Sequence, residues 1–299
     1  MKLFALLALL TALPVFGADD ADEEVAQPEM PPAIPGDVRV ERDVAYLPAD
    51  RRQMADLYFP AEIPAGKKLP ALVIIHGGGF NDGDKAKYRE VNIGTNAAQR
   101  GYIGMSINYR LWFKGATKPT WPQSLLDAKA AVRWLRANAE RLHIDPAHIG
   151  VIGCSAGGNL AAMLAVTRPT DGLEPTLYLE QSSAVQCAVD FYGAVDLLNY
   201  HDMKMFLKTR EEAPEQYRQA SPITYAHKDA APLLIVHGTA DGTVTLSQSE
   251  TLVAALRKAG APHEFVILQG ATHTFDLQPP QRDLRPLVFD FLAKHLGKL

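Results

Sequence analysis

Apolar and polar residues alternate in Val38-Arg39-Val40-Glu41, the period-2 pattern of a strand with one wet face. The pattern predicts strands over Val38 to Tyr46 and Gln53 to Phe59, paired as an antiparallel edge hairpin. Leu72-Val73-Ile74-Ile75 does not alternate: a continuous apolar run between Pro70 and a glycine cluster is how a parallel strand buried on both faces reads. Further strands are predicted at Gly101 to Tyr109, Ile149 to Ile152, Val185 to Tyr192, Leu233 to His237 and His263 to Leu268. Between them the period changes. From Trp121 to Leu142 apolar residues stand at Leu125, Ala128, Val132, Leu135, Ala139 and Leu142, alternating steps of three and four that draw one helical stripe. Pro122 suits the first turn of that helix, and Asp145-Pro146 follows its end. Helices are also expected around Ile93 to Arg100, from Gly158 to Leu164, from the capping box Ser247-Gln248-Ser249-Glu250, and over Leu284 to Leu296.

Strands that alternate with helices imply an α/β fold: a mostly parallel central sheet with helices on both faces. Ligands of such sheets sit at the carboxyl ends of the strands. Asp196 to Ser221, polar, helix-prone and too short to be a domain, reads either as a short lid over that end or as a plain surface connection.

With 299 residues, 47% of them hydrophobic and 21% charged, the chain is long enough for one large domain. The formal net charge is -4 and no basic block occurs, which argues against a nucleic-acid partner. Residues 1–17 stand apart. Met1-Lys2, the apolar run Leu3 to Leu10 and Val15-Phe16-Gly17 predict a signal peptide cut near Gly17, and hence export to a periplasm or beyond. The run is shorter than the ~20 apolar residues that a bilayer span needs, so no stable membrane insertion is expected. Residues 18–36 are acidic and then Pro-rich, the composition of a disordered leader, which leaves 37–299 as the folded domain.

The candidate chemistry lies at the strand ends. Gly153-Cys154-Ser155-Ala156-Gly157 joins the run Ile149 to Ile152 to a small-residue helix, and G-x-S-x-G at such a turn is a nucleophile elbow. The residues two before and two after the serine pass so close that a side chain would collide, and Gly153 and Gly157 meet that need. A serine nucleophile needs a base, a group to orient the base, and donors for the oxyanion. Asp241 and His273 each follow a predicted buried strand, and the order Ser155, Asp241, His273 is the one used by α/β-hydrolases. The glycines of His76-Gly77-Gly78-Gly79 let the N–H groups of Gly78 and Gly79 approach a substrate oxygen together with that of Ala156; His76 is expected to hold the loop.

On these stretches, together with Asp56-Leu57-Tyr58, Asn108-Tyr109-Arg110-Leu111, Tyr192-Gly193, Asp196-Leu197, Ser221-Pro222 and His237-Gly238-Thr239-Ala240-Asp241, the chain resembles α/β-hydrolase esterases of the HGGG type. That group includes hormone-sensitive-lipase-like carboxylesterases and related acetylxylan and feruloyl esterases. The resemblance implies an α/β-hydrolase fold and a catalytic triad of Ser155, Asp241 and His273, with oxyanion donors Gly78, Gly79 and Ala156. It further implies hydrolysis of a small ester or acylated carbohydrate, with short acyl or aryl esters on plant polysaccharides expected. A large N-terminal helical cap has no counterpart before His76, which counts against long-chain lipids. No cofactor or metal is expected, since neither H-E-x-x-H nor a Cys pair nor a carboxylate cluster occurs.

Other residues keep two readings. Phe80, Trp112 and Trp121 either line a substrate pocket or pack. His237 is expected to be a packed structural histidine, and Asp190 and Asp196 to be structural carboxylates. Cys154 and Cys187 lie on strands expected to be near neighbours, either bridged or as buried thiols. A peptidase or amidase on the same triad is the alternative activity, disfavoured because no gating domain fits before His76; a non-catalytic hydrolase-fold binding protein is the alternative class.

Overall fold

In the computed structural model, which describes residues 30–297, strands β1 (Val38–Val44), β2 (Ala55–Pro60), β3 (Leu69–Ile75), β4 (Ile103–Ile107), β5 (Ile144–Cys154), β6 (Cys187–Phe191), β7 (Leu233–Gly238) and β8 (His263–Leu268) form one sheet. Their order is β1-β2-β4-β3-β5-β6-β7-β8. Only β2 runs against its neighbours; every pair from β4 to β8 is parallel. This is the α/β-hydrolase fold. The expected signal peptide, and the expected leader as far as residue 29, lie outside the described residues. Residues 30–36 have no regular secondary structure, yet Ile34 packs on the small cluster of Val38, Tyr58, Val91 and Ala98.

Helices α1 (Tyr88–Gln99), α2 (Gln123–Ala137), α3 (Ala156–Val166), α4 (Pro214–Gln219), α5 (Leu246–Ala259) and α6 (Arg285–Leu296) follow the strands. Strand β3 shows why both faces are covered. Ala71, Val73 and Ile75 point into the core beneath α2, α3 and α5, whereas Leu72 and Ile74 point into the core beneath α1 and α6. With the strand buried on both sides, no polar position interrupts its apolar run.

Helix α3 begins at Ala156, two residues before the expected Gly158, and the starts of α1, α2 and α5 also differ from the sequence expectation. Helix α1 begins at Tyr88 rather than near Ile93, because Arg89, Glu90 and Asn92 are buried polar residues that break the apolar stripe. Helix α2 begins at Gln123, so Pro122 caps it instead of standing in its first turn, and it ends at Ala137; Ala139 and Leu142 are buried beyond it. In α5 the cap is Thr245, and Ser247 lies inside the helix, so the expected capping box does not form. Instead the Thr245 and Ser247 hydroxyls bond each other at 2.8 Å.

The two cysteines are free and buried. Strands β5 and β6 are adjacent, but Gly150 pairs with Cys187 and Cys154 with Phe191. Four residues of stagger at ~3.3 Å each put the sulfurs' strand positions on the order of 13 Å apart, beyond any disulfide. Of the two readings kept for them, the buried thiols are what the structure contains.

Candidate active site

Ser155 stands between β5 and α3 with φ 55° and ψ -119°, a strained turn for a residue with a side chain. Its N–H donates to Phe191 O at 2.8 Å, tying the turn to the end of β6. The close approach expected of the flanking glycines is severe. A Cβ on Gly153 would stand 1.9 Å from Gly157 O, and one on Gly157 would stand 2.1 Å from Ile75 O. Gly153→Ala is therefore expected to cost at least about 4 kcal/mol, lowering Tm by roughly 10 °C, as calorimetry would read it. A variant as stable as the parent would contradict the close approach.

His273 follows β8 and Asp241 follows β7, so both reach the same sheet end as Ser155. His273 Nε2 lies 2.9 Å from Ser155 Oγ, and its Nδ1 lies 2.7 Å from Asp241 Oδ2. Asp241 Oδ1 accepts from the N–H groups of Thr243 and Val244 at 3.0 and 2.9 Å. Its Oδ2 also meets Nε2 of His237 at 3.2 Å. Burial works to raise the Asp241 carboxyl, but hydrogen bonds from His237, His273 and Val244 outweigh it and hold the group well below the ordinary carboxylate range. The carboxylate stays charged and keeps a proton on Nδ1 of His273.

His237 is packed, as expected, but its contact with Asp241 was not foreseen. Its Nε2 faces two acceptors, Val244 O at 2.7 Å and Asp241, so Nε2 carries the proton and Nδ1 accepts from Ser249 Oγ at 2.7 Å. The spacing His237 to Asp241 across one tight turn was the available signal.

The glycine loop after β3 forms the opposite wall. Gly78 has φ 106°, and a Cβ there would stand 2.2 Å from Asp82 O, so only glycine fits. His76 stacks on Tyr109 with ring centroids 4.4 Å apart, and its Nδ1 lies 2.6 Å from Gly77 O. Burial lowers its pKa, which leaves it a neutral brace for the loop. Gly78, Gly79 and Ala156 all border a cavity of about 390 Å³ that opens on Ser155 and His273.

Within residues 196–221, the stretch Tyr200 to Lys204 roofs part of this cavity. The roof is stitched down. Asn159 Nδ2 donates to Ala194 O and Ala220 O, Gln248 Oε1 accepts from the N–H groups of Val195 and Asp196, and Met205 and Phe206 enter the core. Asp196 caps the short turn that begins the roof by accepting from Asn199 N–H. Of the aromatic candidates, Phe80 borders the cavity, but its side chain is buried and turned edge-on to Tyr109. Trp112 and Trp121 do not border it, which corrects their reading as pocket residues. Trp112 N–H donates to Phe80 O, and Trp121 Nε1 donates to Gln219 Oε1 at 3.1 Å while its ring packs edge-on to Phe206. The Trp112 bond is a backbone one, and the centroid of its ring lies 5.6 Å from Lys204 Nζ; Trp121 braces the roof from outside.

Asp190, on β6 beneath the elbow, accepts from Gly193 N–H through Oδ1 and has no partner for Oδ2. Burial pushes its carboxyl up to about 6 from 3.8. The unfolded chain ionises near 3.8 while the folded protein holds the proton until about 6, so stability from this group is full below 3.8 and is lost as pH rises to 6. The total is about 3 kcal/mol. Asp190→Asn, neutral at every pH, is expected to gain Tm relative to the parent by a few degrees more at pH 8 than at pH 5. A difference that does not change with pH would show that Asp190 stays ionised.

Among the described residues no helix is long and apolar enough to cross a membrane.

Comparison with known proteins places these features in a family. Residues 55–256 match the BD-FAE family. The chain is 32% identical to esterase LipQ of Mycobacterium tuberculosis over 89% of its own length and 66% of LipQ, so it spans a little under two thirds of that relative. Among solved structures it is similar to a truncated carbohydrate esterase from gut microbiota, with TM-score 0.77 and 28% identity over 87% of this chain and 97% of the other. It is also similar to esterase 2 of Thermogutta terrifontis in a butyrate-bound form, with TM-score 0.72 and 27% identity over 88% of this chain and 96% of the other.

Proposed function

We propose, for a chain that belongs to the BD-FAE family, a serine carboxylesterase that hydrolyses short acyl or aryl esters, among them those on plant polysaccharides, after export directed by residues 1–17. The observation that carries this reading is His273, within hydrogen-bond distance of Ser155 on one side and Asp241 on the other, at the wall of a cavity. The relatives' names support an ester as the substrate, and the gut carbohydrate esterase and the butyrate-bound neighbour support an acylated carbohydrate and a short acyl group. A cavity of about 390 Å³ lies at the small end of ligand sites and leaves little room for a long acyl chain.

The geometry supports the following mechanism. Neutral His273 Nε2 takes the Ser155 proton as Oγ bonds to the ester carbon, and the carbonyl electrons move onto oxygen. That oxyanion is received by the N–H groups of Gly78, Gly79 and Ala156 at the N-terminus of α3. Asp241 balances the imidazolium. As the carbon–oxygen bond to the alcohol breaks, Nε2 returns the proton to the leaving oxygen. Water then repeats the sequence on the acyl-serine, releasing acid and restoring Ser155.

The test is release of acetate and ferulate, measured side by side from acylated plant xylan, by the protein and by Ser155→Ala. Serine-dependent release of either acid is expected. If neither appears while small aryl acetates are cleaved, the chemistry stands and the polysaccharide assignment falls.

A further inference from the structure

His273 is held by more than Asp241. Its ring meets that of Tyr192 edge to face, with centroids 4.6 Å apart and planes at 62°. Tyr192 lies one residue beyond β6, is fully buried, and has φ 45°, a left-handed conformation that a bulky side chain adopts only where its surroundings impose it. The Tyr192 hydroxyl donates to Phe275 O, two residues past His273, at 2.5 Å. It accepts from Arg89 Nη1 at 3.3 Å, across 103 positions of sequence. Arg89 is fixed in turn by Glu90, Nε to Oε1 at 3.1 Å, and both residues are buried.

A buried Arg–Glu pair brings little net stability, because desolvation offsets its attraction. This one ends on the backbone of the loop that carries the base. We propose that Tyr192, anchored by Arg89, is a positioning residue for His273, holding residues 272–275 so that Nε2 stays at hydrogen-bond distance from Ser155. The proposal rests on the triad reading given above. Without the hydroxyl, Phe275 O loses its buried donor and Arg89 Nη1 its acceptor. The loop gains freedom, and a misplacement of ~1 Å at a reacting group costs on the order of 10²-fold in rate.

The experiment is Tyr192→Phe assayed on an aryl acetate, with reactive serine counted by carrying phosphonylation to its end point. A fall in kcat of roughly 10- to 100-fold is expected, with KM close to the parent value and Tm lowered by several degrees for the two buried groups left unpaired. In a His273→Ala background the same substitution is expected to change nothing further, because its route to the chemistry is gone. Arg89→Lys, which keeps the charge and loses the Nη1 bond, is expected to lower kcat in the same direction. Parental kcat in Tyr192→Phe, or an undiminished loss in the His273→Ala background, overturns the positioning role. Full turnover by Ser155→Ala instead overturns the triad on which it rests.

Discussion

Ser155→Ala is expected to lower kcat on an aryl acetate by ~10³-fold or more and to leave the protein folded. The two halves of this expectation come from different atoms. The rate is lost with Oγ, which lies 2.9 Å from the base His273 and faces the cavity. The fold is kept because alanine retains Cβ, so the elbow at φ 55° carries the same strain as before. What the backbone needs there comes from Gly153 and Gly157, and from Phe191 O, which accepts the N–H of residue 155. Losing one partly exposed hydroxyl contact is worth about 1 kcal/mol. Turnover should be measured beside the circular-dichroism melt. Undiminished kcat would remove Ser155 from the mechanism, whereas a collapsed melt would show that the hydroxyl is structural.

Asp241→Asn is expected to cost ~10⁴-fold in kcat, for a reason that its four neighbours make definite. One carboxylate oxygen receives the N–H groups of Thr243 and Val244, and the other receives Nδ1 of His273 and Nε2 of His237. Every neighbour is a donor. An asparagine must turn its own donor toward one pair or the other. Facing the histidines, it forces Nδ1 of His273 to accept, which places the remaining ring proton on Nε2, where it cannot take the proton of Ser155. Facing the backbone, it opposes two N–H groups and loosens the loop. Stability is expected to fall as well, and the acidic limb of the wild-type melt should reflect the same site. Because the native carboxyl is held below its ordinary range, its contribution is present above the unfolded value and is lost as pH falls through the folded one. An Asp241→Asn variant with kcat within tenfold of the parent would show that His273 keeps its tautomer without this carboxylate.

The sheet was legible in the sequence because burial on both faces leaves no polar position to interrupt a run such as β3 or Leu233 to Val236 of β7. The elbow and the ends of β7 and β8 were legible because close backbone approach and loop chemistry restrict residue type locally. Helix α1 was misjudged at its start because Arg89 and Glu90 are buried for a partner 103 residues away, information that no local period contains. Whether the Trp121 ring faces a cavity or braces its surroundings depends on Gln219 and Phe206, far along the chain. His237 shows the same limit. Its position fixes packing, and only the folded turn brings its Nε2 to Asp241.

The staggered thiols of β5 and β6 have a practical consequence. Cys154 and Cys187 are at most 1% exposed, and burial pushes both thiols up to about 12, so little thiolate forms at neutral pH. An alkylating reagent meets either sulfur only after the middle of the sheet has come apart. The rate at which the unmodified protein takes up such a label is therefore a clock for the opening of its central strands, with no probe added to the sequence.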